Sequence, residues 1–479
     1  MGKQNIIPLN IETEFRLEEL FFSTTDEKGI IESGNTVFAR VSGYPYAELI
    51  GEPHNLVRHP DMPRAVFKLL WEAIQAGKPI VAYVKNLASN GYYYWVAALV
   101  TPLPTGYLSV RFKPSADMLA TVQDVYQQAR AIEIESPAAG SARQSAMEKS
   151  QAFILSKLSE LGFRDYEDFM TTALRQELQS RDRILHEKRL KTFPDEVRAP
   201  NDGLPASLGR IFAEGTTIYG HVLQLFNQID EFIALGDTLK QKSEFVLELT
   251  DSFQMVSMNA AVEAAKLRGH GNSLGVIASH LGETSQDIAR QAKLMRERID
   301  LLTPQLARVS FGLASARLQM EMLMEFCHEF IELSKKSETL LNAKYIASAP
   351  KMIRSLETAF RFTFETVVAD LDGVDLPLRR LSESSDDLRR TILTLLFSQL
   401  IGNVESTPLG EKSNFRVIFD QIKEQIDSAK IELTTLISAV ARISERLSLL
   451  PEITEKCDRG LAVIAAINAD LDVTPSVLV

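Results

Sequence analysis

SNGYYYWVAALVTP, residues 89–102, sets a turn against a long run of aromatic and β-branched residues. Asn90-Gly91 supplies the positive φ angles of a tight hairpin, so the run from Tyr92 to Pro102 reads as the second strand of a pair. Upstream, the apolar run LFFST (20–24) meets the turn Asp26-Glu27-Lys28-Gly29. Between these signals, residues 62–77 have helical spacing, with Pro63 near the start and Gly77 at the end. Short strands, turns and a helix before about residue 115 define an α+β domain. Beyond Pro114 helix formers dominate, interrupted at residues 136–140 (SPAAG) and 194–205. Pro304, Pro350, Pro377, Pro408 and Pro451 predict further breaks, because proline removes a donor and clashes inside a helix.

The clearest periodicity begins at Val222. Val222, Leu225, Ile229, Phe232, Gly236, Leu239, Ser243, Val246, Thr250, Phe253, Ser257, Ala260, Ala264 and Leu267 alternate steps of three and four, one heptad register kept for about six repeats. After Gly269 and Gly271 a second series runs through Leu274, Ile277, Leu281, Thr284, Ile288, Ala292, Met295, Ile299 and Leu302. Two such helices folded back at the glycines predict an antiparallel coiled-coil hairpin, and two hairpins in a dimer would make a four-helix bundle. The expected fold class is therefore multidomain, an α+β domain followed by a mainly α-helical hairpin and bundle region.

Composition removes several function classes. At 479 residues the chain exceeds one core, and Lys+Arg 52 against Asp+Glu 63 gives a net charge of -11, which opposes nucleic-acid binding. Cys327 and Cys457 lack any CxxC or Cys/His spacing, so no metal site is expected. The N-terminal stretch has no signal-peptide pattern, and no apolar run approaches the ~20 residues of a transmembrane helix, so a cytoplasmic location is expected. No nucleophile elbow, P-loop or phospho-acceptor histidine with a following ATP-binding domain is present, and an enzyme is not expected.

Five segments, STTDEKGIIESGN (23–35), VSGYPYAELIGEPHNLVRHPDMP (41–63), YVKN (83–86), NGYYYWV (90–96) and YLSVRFKPS (107–115), stand in the order of a PAS domain of the aerotaxis-receptor type. The resemblance implies a sensor domain over residues 13–115 that holds a flavin, FAD, with haem or an empty pocket as alternatives. The residues it carries over are Asn35, Arg58, His59, Asp61, Lys85, Asn86 and Trp95. Arg58 and His59 would bond a pyrophosphate or ring edge, Asn35 or Asn86 would read ring heteroatoms, and Trp95 would stack or pack beside the ring. Read without the resemblance, Arg58, His59 and Asp61 make a loop-holding ion pair with Asp61 as a helix cap, and Trp71, spaced with Phe67, is a core residue. The chain departs from the family at Ile80-Val81-Ala82, where a tryptophan is usual, and at Leu87, where arginine is usual.

FQMVSMNAAVEAAKLRGHGNSLGVIASHLGETSQDIARQA, residues 253–292, resembles the tip of methyl-accepting chemotaxis proteins, with NAAVEAAK (259–266) as its most diagnostic segment. The resemblance implies a signalling hairpin over residues 206–303 with its tip near 259–283. Residues 116–205 are then a helical connector, and 304–479 a C-terminal helical region of unassigned role. Asn259, Glu263, Lys266 and Gly271 would be partner-binding positions for a kinase and its coupling protein, and a homodimer is expected. His280 and Gly282 replace the family's glutamate and arginine after the turn, and Asn272-Ser273 replaces an Arg-Gly pair. Two readings follow: a sensory transducer that relays a redox or small-ligand signal to a chemotaxis-type output, and a scaffold or regulator that no longer couples to the standard kinase.

Overall fold

In the computed structural model the described residues are 6–135, 141–266, 272–335, 343–409, 414–447 and 450–473. Five strands, β1 (Leu20–Thr25), β2 (Ile31–Gly34), β3 (Ile80–Leu87), β4 (Tyr93–Leu103) and β5 (Gly106–Phe112), form one antiparallel sheet in the order β2-β1-β5-β4-β3. The expected turns sit where the sequence puts them. Gly91, at φ 88°, closes the β3–β4 hairpin, and Tyr92 N–H donates to Asn90 Oδ1 at 3.0 Å. Asp26 Oδ1 accepts from the Lys28 and Ile30 amides, turning β1 toward β2.

Helices α1 (Thr36–Ser42), α2 (Tyr46–Leu49) and α3 (Arg64–Gln75) lie between β2 and β3. The remainder is helical: α4 (Met118–Ile134), α5 (Ser141–Glu160), α6 (Tyr166–Lys188), α7 (Gly203–Lys266), α8 (Asn272–Lys335), α9 (Ala343–Ser406), α10 (Phe415–Leu447) and α11 (Leu450–Val473). The chain divides into two compact units. One holds the described residues of Met1–Phe226, Ser310–Val367 and Ile453–Val479; the other holds those of Asn227–Val309 and Val368–Glu452.

In the first unit the sheet is covered on both faces. Phe326 of α8 packs edge-on against Phe22 at 5.4 Å, and Gln319 Nε2 donates to Thr101 Oγ1 at 2.9 Å. Three glutamates, buried Glu133 and Glu177 and half-buried Glu329, one each from α4, α6 and α8, accept backbone amides of the N-terminal domain. Glu133 takes Arg64 and Ala65 at the start of α3, Glu177 takes Ser115 and Ala116, and Glu329 takes Thr36 at the start of α1. Amides at helix starts have no intrahelical acceptor, so each carboxylate meets a real need. Asp61 does not cap α3; the cap position is Pro63, and Glu133 supplies the acceptor from a distant element.

In the second unit the described positions of the two heptad series from Phe253 onward face mainly inward. Phe253, Ser257, Ala260 and Ala264 of α7 are buried, as are Leu274, Leu281, Thr284, Ile288, Ala292, Met295, Ile299 and Leu302 of α8. Ser257 Oγ donates to Ala278 O at 2.6 Å, and a side chain at Gly282 would meet Ser257 Oγ, so the helices approach closely there. The hairpin is not alone. His280 and Gln291 of α8 bond Ser398 and Thr391 of α9, Gln399 of α9 bonds Phe419 O of α10, and Gln425 of α10 bonds Ser252 of α7. Four helices from one chain thus close the bundle that the sequence expects from two.

Pro304 lies inside α8, and Pro350 and Pro377 lie inside α9, so the helix breaks expected at these prolines do not occur. A boundary at 303/304 consequently falls within a continuous helix. The packing around them explains this: Ile299, Leu302 and Leu306 are all buried next to Pro304, and burial on this scale offsets the ~3 kcal/mol that a helical proline costs. The linkers expected at 136–140 and the glycine turn at 269–271 lie outside the described residues. No helix among the described residues is long and apolar enough to cross a membrane.

Candidate functional site

A cavity of about 310 Å³ opens between the sheet and α3. That volume is at the small end of the ~300–1,000 Å³ typical of small-molecule sites. Alternate residues of four strands point into it: Ser23 and Thr25 from β1, Val84 and Asn86 from β3, Ala98 and Val100 from β4, and Tyr107, Ser109 and Arg111 from β5. Phe67 and Trp71 line it from α3, and Pro53, His54, Asn55 and Arg58 from the preceding segment. Trp71 reaches its place because Gly29, at φ 79°, has no side chain; a Cβ there would press on the indole at 3.2 Å. The indole then meets the Tyr107 ring edge-on at 5.6 Å.

Of the residues expected from the sequence, two meet at this cavity: Arg58 and Asn86, whose backbones also form a β-bridge. The Arg58 guanidinium lies 4.0 Å over the Phe67 ring and donates to Met62 O, and burial lowers its pKa to about 10. Lys85 directly precedes Asn86, is therefore out of phase with it, and points to the other side of β3. There Lys85 Nζ donates to Asp61 Oδ2 at 2.8 Å, and Asp61 N–H donates to His59 Nδ1 at 3.2 Å. His59 is held neutral, its pKa lowered to about 4 by burial and then by the Lys85 charge. These three residues fix the loop ahead of α3 and do not line the cavity.

Trp95 pairs with Lys85 across the β3–β4 ladder and shares its face, where the indole packs against Tyr126 of α4 at 6.5 Å. Trp95 does not line this cavity and packs against a helix instead, whereas Trp71, whose spacing reads as core, does line it. Asn35 is likewise no cavity residue. Its Oδ1 accepts from the Phe22 and Phe38 amides, capping α1, and its Nδ2 donates to Leu20 O and Glu329 Oε2.

Sequence reading missed His54 and Arg111. Arg111 is 4% exposed, donating from Nη1 to Ser23 Oγ at 3.1 Å and from Nη2 to His54 Nε2 at 2.7 Å. An arginine donates only, so Nε2 carries the lone pair and the imidazole is neutral. Burial, and then the neighbouring guanidinium, push the His54 pKa well below the ordinary value. Burial lowers Arg111 itself to about 10. The signal for Arg111 was present in YLSVRF, where Tyr107, Ser109 and Arg111 alternate with Leu108, Val110 and Phe112.

The partner-binding positions expected at the hairpin tip are at the end of α7. Asn259 and Lys266 are exposed, and half-buried Glu263 pairs with Lys266 at 2.6 Å. Gly271 lies outside the described residues. His280 Nδ1 is engaged with Ser398 at 2.9 Å.

A five-stranded antiparallel sheet with helices between its second and third strands, closing a ligand-sized cavity, defines the N-terminal domain as a PAS domain. Residues 32–107 match the PAS fold family. A segment of 110 residues, 22% of this chain, is 42% identical to the aerotaxis receptor of Escherichia coli (strain K12), covering 22% of that protein. A segment of 88 residues is 30% identical to the nitrogen fixation regulatory protein of Klebsiella pneumoniae, 18% of each chain. The chain spans about a fifth of the length of these relatives. Among solved structures, the light state of the blue-light photoreceptor Aureochrome1 LOV is similar at 25% identity and TM-score 0.20, over 22% of this chain and 90% of that one. A PAS domain from Colwellia psychrerythraea is similar at 21% identity and TM-score 0.18, over 20% and 85%.

Proposed function

We propose that this protein is a sensory signal transducer whose PAS cavity holds a flavin, FAD in the first instance, and whose response leaves the domain through α1 and α8. The observation that carries the proposal is a chain of contacts inside one unit. His54, in the cavity wall, stacks on Phe38 of α1 at 6.0 Å with the rings 3° from parallel. The Phe38 amide is capped by Asn35, and Asn35 donates to Glu329 of α8 at 3.1 Å. A change at the cavity wall thus has a short, packed route to a helix whose other end belongs to the second unit.

The lining suits a flavin. Ser109 Oγ is buried, faces the cavity and has no hydrogen-bond partner in the protein, a polar atom awaiting a ligand. Trp71 offers an aromatic face, Asn86 an amide that both donates and accepts, and Arg58 and Lys28 positive charge for phosphates. A flavin bound there supplies a redox change in ring charge and hydrogen bonding. Haem is supported less well, because the one histidine lining the cavity uses its Nε2 lone pair on Arg111.

Output through the α7–α8 tip in a chemotaxis-type pathway, in the cytoplasm, is the reading that NAAVEAAK supports. A second reading, a scaffold uncoupled from the standard kinase, is supported by His280, which is turned to Ser398. It is supported too by α9 and α10, which cover the seam a second hairpin would use. The homodimer expected from the sequence then needs another surface.

The experiment is the absorption spectrum of the purified protein, followed by heat release and chromatography of what it held. Flavin bands and a released flavin nucleotide are expected. A colourless protein would overturn the flavin assignment and favour the scaffold.

A further inference from the structure

We propose that the buried end of the PAS cavity is an anion site, with Arg111 as the recognising group, and that it takes a planar organic ligand carrying negative charge at that end. The inference rests on the reading of this cavity as a ligand site and narrows its chemistry.

Three cations line the cavity, Arg111, Arg58 and Lys28, and among the described residues no Asp or Glu lines it. Arg111 is the innermost in electrostatic terms, buried at 4% exposure and hydrogen-bonded only to neutral groups, the Ser23 hydroxyl and the neutral His54 ring. A buried charge without a counter-charge is costly. The two other buried arginines among the described residues show the usual solution: Arg181 is paired with Glu321 at 2.8 Å, and Arg317 with Asp182. At Arg111 no carboxylate is paired with the guanidinium, which lies 5.5 and 5.8 Å from the Phe38 and Phe21 ring centres, and the residue lines the cavity.

His54 sharpens the selection. Its Nε2 accepts from Arg111, so it adds no second positive charge, and it holds one Nη of the guanidinium in a fixed direction. Ser23 holds the other. The remaining donors and the charge are left for the ligand, and a delocalised anion such as an enolate, a deprotonated imide or a carboxylate on an aromatic ring matches them. Trp71 supplies a ring surface in the same cavity.

The test compares 8-anilinonaphthalene-1-sulfonate with the uncharged N-phenyl-1-naphthylamine, which shares its ring system and lacks the sulfonate. Binding is read by quenching of Trp71 in full-length Trp95→Phe protein whose cavity has been emptied by dialysis against concentrated potassium bromide. Trp71 is then the only tryptophan, and the signal is local to the cavity. The sulfonate is expected to bind about ten-fold or more tightly than its neutral analogue, the scale of a hydrogen bond to a charged group. Arg111→Met should abolish that preference and leave the neutral probe's affinity unchanged. Equal affinities, or a loss common to both probes in Arg111→Met, would overturn the proposal. Should Arg111→Met fail to fold, the comparison of the two probes on the Arg111 protein decides alone. Flavin-loaded protein with no anion preference would sink this inference and leave the sensor intact; colourless protein with the preference would do the reverse.

Discussion

Asn35 Nδ2 lies 3.1 Å from Glu329 Oε2, joining residues 294 positions apart in sequence. The amide belongs to the cap of the first PAS helix and the carboxylate to a helix from the C-terminal half. Glu329 also takes the Thr36 amide at 3.0 Å and the Tyr345 hydroxyl at 3.0 Å. Burial raises its pKa and the hydrogen bonds pull it back. Glu329→Ala would leave three donors without this acceptor, and is expected to destabilise the first unit by about 2–4 kcal/mol. Urea unfolding followed by the fluorescence of Trp71 and Trp95, both in that unit, measures it; a loss under ~0.5 kcal/mol would show that the contact is incidental.

Arg181 of α6 is another tie to α8. Fully buried, it donates to Glu321, to Leu17 O and to Thr192 Oγ1. Arg181→Met should cost about 3–5 kcal/mol, because buried Glu321 loses its ion-pair partner and keeps only Thr192 and the Arg317 charge nearby. Adding Glu321→Leu should restore part of that loss. Two additive losses would mean that the pair is not energetically coupled.

Glu325 stands one turn from both Glu321 and Glu329, and its pKa is pushed up to about 8 by burial and by the neighbouring Glu329, Glu321 and Glu19 charges, with Arg16 opposing. Its folded value lies above its unfolded one near 4.5, so the folded state holds the extra proton between them. The stability it contributes is full below pH 4.5 and is lost as pH rises through about 8. The slope approaches about 1.4 kcal/mol per pH unit in that window. Glu325→Gln should flatten the profile; an unchanged profile would place the titration elsewhere.

The two tryptophans separate cavity from packing. Trp71→Phe is expected to weaken retention of the proposed flavin several-fold, whereas Trp95→Phe should leave retention unchanged and cost about 1 kcal/mol of stability through its contact with Tyr126. Released ligand per mole of protein reports the first and thermal unfolding the second. Ligand loss on changing Trp95 rather than Trp71 would contradict the assignment of faces.

That assignment marks the limit of what the sequence discloses. The hairpin at Asn90-Gly91, the turn at Asp26 and both heptad series are local signals, and each could be read directly. Which face of β4 meets the cavity is not local: YYWVAALV is apolar on both sides because helices cover both, so no alternation distinguishes Trp95 from Tyr94. Arg58 and Asn86 were legible through the PAS resemblance. Arg111 was legible only as an alternating strand residue, and its pairing with His54 depends on a contact across 57 positions. Pro304, Pro350 and Pro377 misled because local helix cost was overridden by packing along helices of 64 residues.

Gly402 of α9 shows the same dependence on partners. A side chain there would collide with the Phe419 ring of α10, so Gly402→Ala should destabilise the second unit by about 1–2 kcal/mol even though alanine favours helix by ~1 kcal/mol. Loss of helical circular dichroism at lower temperature is the expected readout; a gain in stability would mean that α10 yields freely.

In the proposed transducer the cavity is coupled to α8 through His54, Phe38, Asn35 and Glu329. Hydrogen exchange of the full chain, with and without the proposed flavin, tests it most directly. Removing the ligand is expected to change protection at α1 and in residues 322–335 of α8, and Glu329→Gln should confine the change to the PAS domain. Changes restricted to the cavity wall in the unaltered protein would contradict the account.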